Sequence, residues 1–353
     1  MFEIGFSIYS SSGRDINTQI LDRVWDADFS YAFTSLHIPE EATPELRQEQ
    51  HDLLQSLRDL DVNVMADIGP RTLSDMKLSS FEDLSMYPIT HMRVDYGFNL
   101  EQMAKISEHY ILVVNPSTFA EEDFFTLLEL GVKRDRIVAC HNFYPKEWSG
   151  LSLKRVSDSN RFYKNQNIKT MAFIAGDAQK RGPVYQGLPT VETMRHMAPL
   201  EAALKLREEA FTDVVLVGDI DLTEKSWEDM IALSHGYVIL PCTLDPEYKH
   251  LYGVIQHDRI DSSDFLIRSL ESRMYASRGH HVEVVGATHI GRGTILISNE
   301  DYSRYSGEFE IARTELSDCP RKNRIGQVST DALYLLPYIT HGMGFMLVED
   351  LDN

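Results

Sequence analysis

Eight short apolar runs in the first two-thirds of the chain end on side chains able to do chemistry: Tyr9, His37, Asp67, Asp95, Asn115, His141-Asn142, Asp177 and Asp219. Asp and Asn at the end of a strand also suit turns and helix N-caps, so any one of them is explained by local backbone needs. Several carboxylates, amides and imidazoles converging on one place are not. Together they point to a polar site.

Asp67 and Asp95 close two successive runs, Val64-Met65-Ala66-Asp67 and Met92-Arg93-Val94-Asp95. Neighbouring strands lie about 4.8 Å apart, so two carboxylates sharing a layer would be roughly 5 Å from each other. At that spacing one ionises poorly and serves as an acid while the other stays charged. A metal pair and a hydrogen-bonded strut with Arg93 are the alternatives, but no HxH or HExxH spacing accompanies the two.

Ala139-Cys140-His141-Asn142-Phe143-Tyr144-Pro145 sets imidazole, amide and phenol side by side, donors suited to sugar hydroxyls, with aromatic faces suited to sugar rings. Cys140 reads as buried filler, since no base and orienter can be identified around it. The loop 176–189 carries Lys180, Arg181 and three glycines, which suits either anion binding or a flap. Further along, Arg268, Arg292, Arg304, Arg321, Lys322 and Arg324 are basic points in an acidic chain and candidates for phosphate. His280-His281 is adjacent rather than at ligand spacing and reads as a strand entry.

These residues need a frame. Expected strands are Glu3–Tyr9, Tyr31–His37, Asn63–Ile68, His91–Asp95, Ile111–Asn115, Ile137–His141, Lys169–Asp177 and Asp213–Asp219. Helical patterns lie between them, among them Pro44–Leu60, Leu100–His109, Ala120–Leu130 and Thr190–Glu209. Start signals include Thr43 before Pro44 and a capping-box-like Thr190-Val191-Glu192-Thr193, and Gly131 fits a helix stop. Eight strand-then-helix units in about 235 residues match a (β/α)8 barrel, whose functional groups gather at the C-terminal ends of its strands. A doubly wound sheet would predict a Gly-rich phosphate turn after the first strand, and Ser10-Ser11-Ser12-Gly13 is not one.

The expected fold class is therefore α/β: a (β/α)8 TIM barrel over residues 1–235, then a small, mainly antiparallel β domain over 236–353. Strand-like runs there are Tyr237–Leu240, His281–Val285, Thr294–Ser298, Gly307–Ala312, Gln327–Ser329 and Leu333–Leu336. Ser262–Arg273 reads as helical from the spacing of Phe265, Leu266, Ser269, Leu270 and Arg273.

Composition limits the partners. With 34 basic against 54 acidic side chains, the net charge of -20 argues against nucleic acid and anionic membrane. It leaves room for an anionic small molecule held by a few donors. Three dispersed cysteines build no disulfide framework or CxxC metal pair. The N-terminus lacks a basic n-region, and no apolar run approaches the roughly 20 residues that span a bilayer, so a cytoplasmic location is expected. Nothing requires a cofactor or a metal, and a homodimer is left open.

Four segments carry a resemblance: Ala66-Asp67-Ile68-Gly69-Pro70, Arg93-Val94-Asp95-Tyr96-Gly97-Phe98, Cys140-His141-Asn142-Phe143-Tyr144-Pro145 and Arg321-Lys322-Asn323-Arg324-Ile325-Gly326. With Arg292-Gly293 and Tyr305-Ser306-Gly307-Glu308, they make the chain resemble the bacterial 6-phospho-N-acetylmuramidase family from residue 2 to nearly its end. The resemblance implies a TIM barrel followed by a cyclophilin-like domain. It also implies hydrolysis of N-acetylmuramic acid 6-phosphate-β-1,4-N-acetylglucosamine in cell-wall recycling, a phosphorylated disaccharide as partner. Asp67, Asp95, His141, Asn142, Tyr144 and Arg268 fall in family motifs, whereas Asp177 and Asp219 do not. Relatives often continue strand one as Tyr-Pro-acidic, and here Tyr9 is followed by Ser10-Ser11.

On this reading Asp67 and Asp95 are the catalytic pair, and a roughly 5 Å separation predicts retention of configuration, with assistance from the substrate's acetamido group as a second route. Asn115, His141, Asn142, Tyr144 and Arg93 contact the sugar, while Arg268, Arg292, Arg321 and Lys322 hold the phosphate. Two other classes stand beside it: a sugar-phosphate lyase or isomerase, which needs a strand-end lysine or a metal, and a non-catalytic phosphosugar binder.

Overall fold

The computed structural model describes residues 2–25, 27–36, 44–276 and 281–351. His37, Thr43 and His280 lie outside them. The chain divides into two compact units, Met1–Ser234 and His235–Asn353.

The first unit is a closed barrel of eight parallel strands in sequence order. They are β1 (Glu3–Ser7), β2 (Tyr31–Ser35), β3 (Asn63–Ile68), β4 (Ile89–Val94), β5 (Ile111–Val114), β6 (Ile137–Cys140), β7 (Lys169–Ile174) and β8 (Val214–Val217). Side chains alternate across a strand. One set fills the barrel: Tyr31, Phe33, Met65, Val113, Val138, Cys140, Met171, Phe173, Val214 and Leu216, with Tyr9 just past β1. Gly5 makes room for this packing, since a Cβ there would lie 2.4 Å from Leu216 and 2.7 Å from the Tyr31 carbonyl. The opposite set packs against helices α1 (Arg14–Trp25), α2 (Pro44–Ser56), α3 (Thr72–Met76), α4 (Leu100–His109), α5 (Glu121–Glu129), α6 (Leu153–Asn165), α7 (Pro199–Ala210) and α8 (Glu224–Ser234).

The helix expected from Thr190 starts only at Pro199, which tolerates the first turn because its missing N–H has no helical partner there. Thr190 is already committed to the barrel. Its N–H donates to the Phe173 carbonyl (2.9 Å), and its hydroxyl accepts from the Phe173 N–H (2.9 Å) and donates to the Asn142 carbonyl (2.8 Å).

The second unit is a seven-stranded mixed sheet: β9 (Tyr237–Leu244), β10 (Ile255–His257), β11 (Leu266–Arg268), β12 (Thr294–Ser298), β13 (Phe309–Ala312), β14 (Lys322–Val328) and β15 (Gly344–Glu349). Their order is β10-β15-β9-β14-β12-β13-β11. Among the described strands of this sheet, only β9 and β15 pair in parallel. An Asp258–Ser269 bridge and the Arg259 N–H donating to the Arg268 carbonyl (3.1 Å) link the two edges, so the sheet nearly closes.

Three expectations for this unit are corrected. The helix at Ser262–Arg273 is instead β11, paired with β13, and then α9 (Leu270–Ala276). The apolar positions that suggested a helical face, Phe265 and Leu270, are exposed, while Ile267, Ser269 and Ser272 are buried. Residues 281–285 form no strand, and the Asn323 side chain instead holds part of the segment. It accepts from the N–H groups of Val285 (3.1 Å) and Gly286 (3.0 Å) and donates to the Glu283 carbonyl (2.7 Å). Leu333–Leu336 lies in 3-10 turns at Thr330–Tyr338, with Leu335 and Leu336 buried. Among the described residues no helix is long and apolar enough to cross a membrane.

Candidate active site

Register decides what faces Asp67. On β4 the residue directly opposite it is Arg93, not Asp95. Arg93 donates to the Asp67 carboxylate at 3.0 Å, and both are buried. Burial alone would lower the Arg93 guanidinium, but Asp67, with Cys140 and Asp95 beyond it, holds it above its ordinary value. Its Nε is buried with no hydrogen-bond partner among the described residues.

Asp95 follows β4 two residues beyond Arg93, one layer nearer the mouth. Combining that offset with the spacing between strands gives a Cα diagonal of about 8 Å to Asp67. The shared layer behind the 5 Å expectation is therefore absent, and the retaining assignment loses its premise. The loops after the two carboxylates are packed on each other. Gly97, at φ +80°, sits so close to Pro70 that a Cβ would lie 2.3 Å from it.

Two amides hold Asp95. Asn115 donates to one carboxylate oxygen at 3.0 Å and Asn142 to the other at 3.1 Å. The orientation of each amide follows from its other end. The Ser117 N–H donates to the Asn115 oxygen at 3.0 Å, and Arg93 donates to the Asn142 oxygen. Both amides must then turn their NH2 groups to Asp95. Asp67, Arg93, Asn142, Asp95 and Asn115 form one connected network across β3 to β6.

His141 stands behind this network rather than in it. Strand alternation points Cys140 and Asn142 inward and His141 outward toward α6. Its ring is fully buried, with Nδ1 2.8 Å from the Ser117 hydroxyl and Nε2 3.0 Å from the Asn160 oxygen. Asn160 spends its NH2 group on the Ala210 carbonyl (2.7 Å), so its oxygen is the acceptor and His141 carries the proton on Nε2. Burial lowers the imidazole from 6.5 to about 4, and it is neutral. A ring with both nitrogens engaged and no exposure reaches no sugar, which corrects the expectation that it contacts hydroxyls. His141 supports the loop that carries Ser117. Tyr144 is half-buried, its N–H donating to the Pro189 carbonyl (3.0 Å), and burial raises its phenol while the Ser117 hydroxyl acts against the rise. Burial pushes the Cys140 thiol up to about 12, consistent with packing rather than nucleophilic chemistry.

Comparison with known proteins decides the family. Residues 4–232 match the N-terminal 6-phospho-N-acetylmuramidase model, and residues 240–348 match the C-terminal one. The chain belongs to the 6-phospho-N-acetylmuramidase family. A conserved protein of unknown function from Enterococcus faecalis is similar along 99% of this chain and 97% of its own, at 28% identity and a TM-score of 0.78. An uncharacterised B. cereus protein shares the fold at 23% identity, 99% coverage of both chains and a TM-score of 0.70. No curated protein matches.

In this family member two further strand-end carboxylates do structural work. Asp177 accepts from the Thr223 N–H (2.9 Å) and the Thr223 (3.0 Å) and Ser226 (2.7 Å) hydroxyls at the start of α8. Asp219 gathers loop 176–189, accepting from the N–H groups of Gly176 (2.9 Å), Arg181 (3.0 Å) and Leu188 (3.0 Å). Its burial raises the carboxyl in spite of these donors.

Sequence reasoning missed a second hub, Glu192 and Arg195. Arg195 is 3% exposed, pairs with Glu192 at 2.7 Å and donates to the Gly187 (3.0 Å) and Lys146 (3.2 Å) carbonyls. Glu192 accepts from the N–H groups of Trp148 (3.0 Å) and Gly150 (2.7 Å), and Arg195 with these donors holds its carboxyl down at about 2. The hub ties the loops after β6 and β7 together. The only signal was an acid and a base three residues apart.

Within the second unit, Arg268 and Lys322 flank Glu310. Arg268 is opposite it in the strand register, Lys322 is ion-paired to it, and burial lowers the Lys322 ammonium to about 8. Arg268 also lies 3.5 Å from Asp261. Arg292 donates to the Leu333 carbonyl (2.9 Å), and Arg321 lies over the Tyr302 ring at 5.7 Å. Of the four basic residues expected to hold the phosphate, Arg268 and Lys322 thus meet at Glu310, and Lys322 and Arg321 at Tyr302, while Arg292 is engaged with the Leu333 carbonyl.

Proposed function

We propose that the protein hydrolyses N-acetylmuramic acid 6-phosphate-β-1,4-N-acetylglucosamine, releasing N-acetylmuramic acid 6-phosphate and N-acetylglucosamine. The observation that carries this is the network at the barrel mouth: two carboxylates on neighbouring strands, joined through Arg93 and Asn142, in a chain of this family.

Glycosidic cleavage needs one group to give a proton to the leaving oxygen and another to receive one, or to orient the substrate's acetamide. Asp95, with amide donors aimed at both oxygens, is built to receive. It accepts a proton from water or holds the acetamide N–H. Asp67 is then the donor.

The test is release of N-acetylglucosamine from the synthetic phosphorylated disaccharide. Turnover supports the proposal, and no cleavage by the folded protein ends it.

A further inference from the structure

We propose that Trp148 and Tyr185, on the loops after β6 and β7, form an aromatic platform on which a pyranose ring of the substrate stacks. The choice of a sugar as occupant rests on the glycosidase reading, and the platform itself on geometry.

Both residues have left-handed backbones, Trp148 at φ +64° and Tyr185 at φ +59°. A bulky side chain adopts that conformation at a cost that glycine does not bear. Folding gains little in return, since Trp148 is 89% exposed and Tyr185 64%. Strain of this kind gathers at ligand clamps.

The Glu192–Arg195 hub holds both in place. Glu192 accepts the Trp148 N–H itself at 3.0 Å. Arg195 donates to the Lys146 carbonyl (3.2 Å), two residues before Trp148, and to the Gln186 carbonyl (3.5 Å), next to Tyr185. One buried guanidinium therefore joins the two aromatic loops. With the Glu192 carboxyl held down at about 2, the pair stays charged at neutral pH. Tyr185 is braced further by Gly182, where a Cβ would lie 2.9 Å from its hydroxyl.

The same loops lead to the carboxylates. Asn142, which donates to Asp95, is six residues before Trp148, and the Thr190 hydroxyl ties its carbonyl (2.8 Å) to the end of the Tyr185 loop. In a barrel these loops surround the mouth where substrate enters. Both rings of the proposed disaccharide carry their substituents equatorially, which leaves flat faces of C–H groups. Rigid aromatic side chains match such faces at little entropic cost.

The experiment compares wild type with Trp148→Ala, Trp148→Phe, Trp148→Gly and Tyr185→Ala on the phosphorylated disaccharide. Each alanine variant is expected to raise KM about 3- to 10-fold with kcat changed less than about two-fold, and Trp148→Phe to recover most of the loss. Urea midpoints of the alanine variants should stay near wild type. Trp148→Gly should unfold at higher urea than Trp148→Ala, because glycine relieves the left-handed strain, while its KM is raised equally. Unchanged KM in both alanine variants, or a KM loss that tracks a fall in urea midpoint, overturns the proposal.

Should wild type cleave nothing, the glycosidase reading fails separately, and fluorescence decides the platform. Of the three tryptophans, Trp227 is buried, and Trp25 ends α1 at the opposite face of the barrel. In a Trp25→Phe variant the exposed emission therefore comes from Trp148. Titration with N-acetylglucosamine and with N-acetylmuramic acid 6-phosphate should shift it to the blue for at least one of the two. No shift with either overturns the proposal.

Discussion

The Arg93 guanidinium donates to the side-chain oxygen of Asn142, and that contact determines which end of the amide faces Asp95. Arg93 therefore serves both carboxylates: Asp67 directly, and Asp95 through a neutral amide. A lysine could not do this, because it lacks the planar fork that reaches two acceptors in fixed directions.

Asn142→Ala removes one of the two donors to Asp95 while keeping the fold. Loss of a preorganised donor at a reacting group costs about 10²-fold in kcat. The expected result is a fall in kcat of that order with a smaller change in KM, measured by product release. Asn142→Asp should be worse, since it sets a second carboxylate against Asp95.

Arg93→Met leaves Asp67 buried without its partner. Breaking a buried pair from one side costs roughly 3–5 kcal/mol, and neutralising the other side recovers part of it. Urea unfolding should show Arg93→Met far less stable than wild type and the Arg93→Met/Asp67→Asn double variant in between. Additive losses would show that the two residues do not interact.

Two buried imidazoles set the acid limit of stability. Burial lowers His91 and His141 from 6.5 to about 4. As pH falls, the unfolded chain takes up these protons first, so stability is full above 6.5 and drains away down to about 4. Each imidazole contributes a slope of roughly 1.4 kcal/mol per pH unit within that window. His91→Gln should flatten the dependence between pH 7 and 5 in denaturant titrations. An unchanged slope would mean that His91 titrates normally in the folded protein.

A Cα diagonal of about 8 Å between Asp67 and Asp95 favours the wider carboxylate spacing of inverting enzymes over the roughly 5 Å of retaining ones. Proton NMR of the first product formed should show inversion at the anomeric carbon. Net retention would instead indicate that the substrate's own acetamide attacks, with Asp95 orienting it.

The barrel was legible because its signals repeat: β-branched runs with a polar residue at each end, separated by amphipathic stretches. Asp67, Asp95, Asn115 and Asn142 were found for the same reason. Their pairing was not. The β3–β4 register shifts between Val64 and Met65, so that Met65 faces His91. This one-residue irregularity, which sets Arg93 opposite Asp67, leaves no mark on periodicity. The Glu192–Arg195 hub was hidden inside an expected helix, where an acid and base three apart look like a solvated surface pair. The short strand β11 failed for want of length, since three residues are too few for alternation to outweigh a chance helical spacing.

The most direct test of the central claim, that Asp95 performs chemistry rather than merely holding ligand, is Asp95→Asn. Turnover of the phosphorylated disaccharide and its calorimetric Kd would be measured on the same preparation. The network predicts a loss of turnover of about 10³-fold or more, with Kd changed only a few-fold, because the amide keeps the shape and loses the accepting charge. Turnover close to wild type, or affinity lost in step with turnover, would contradict it.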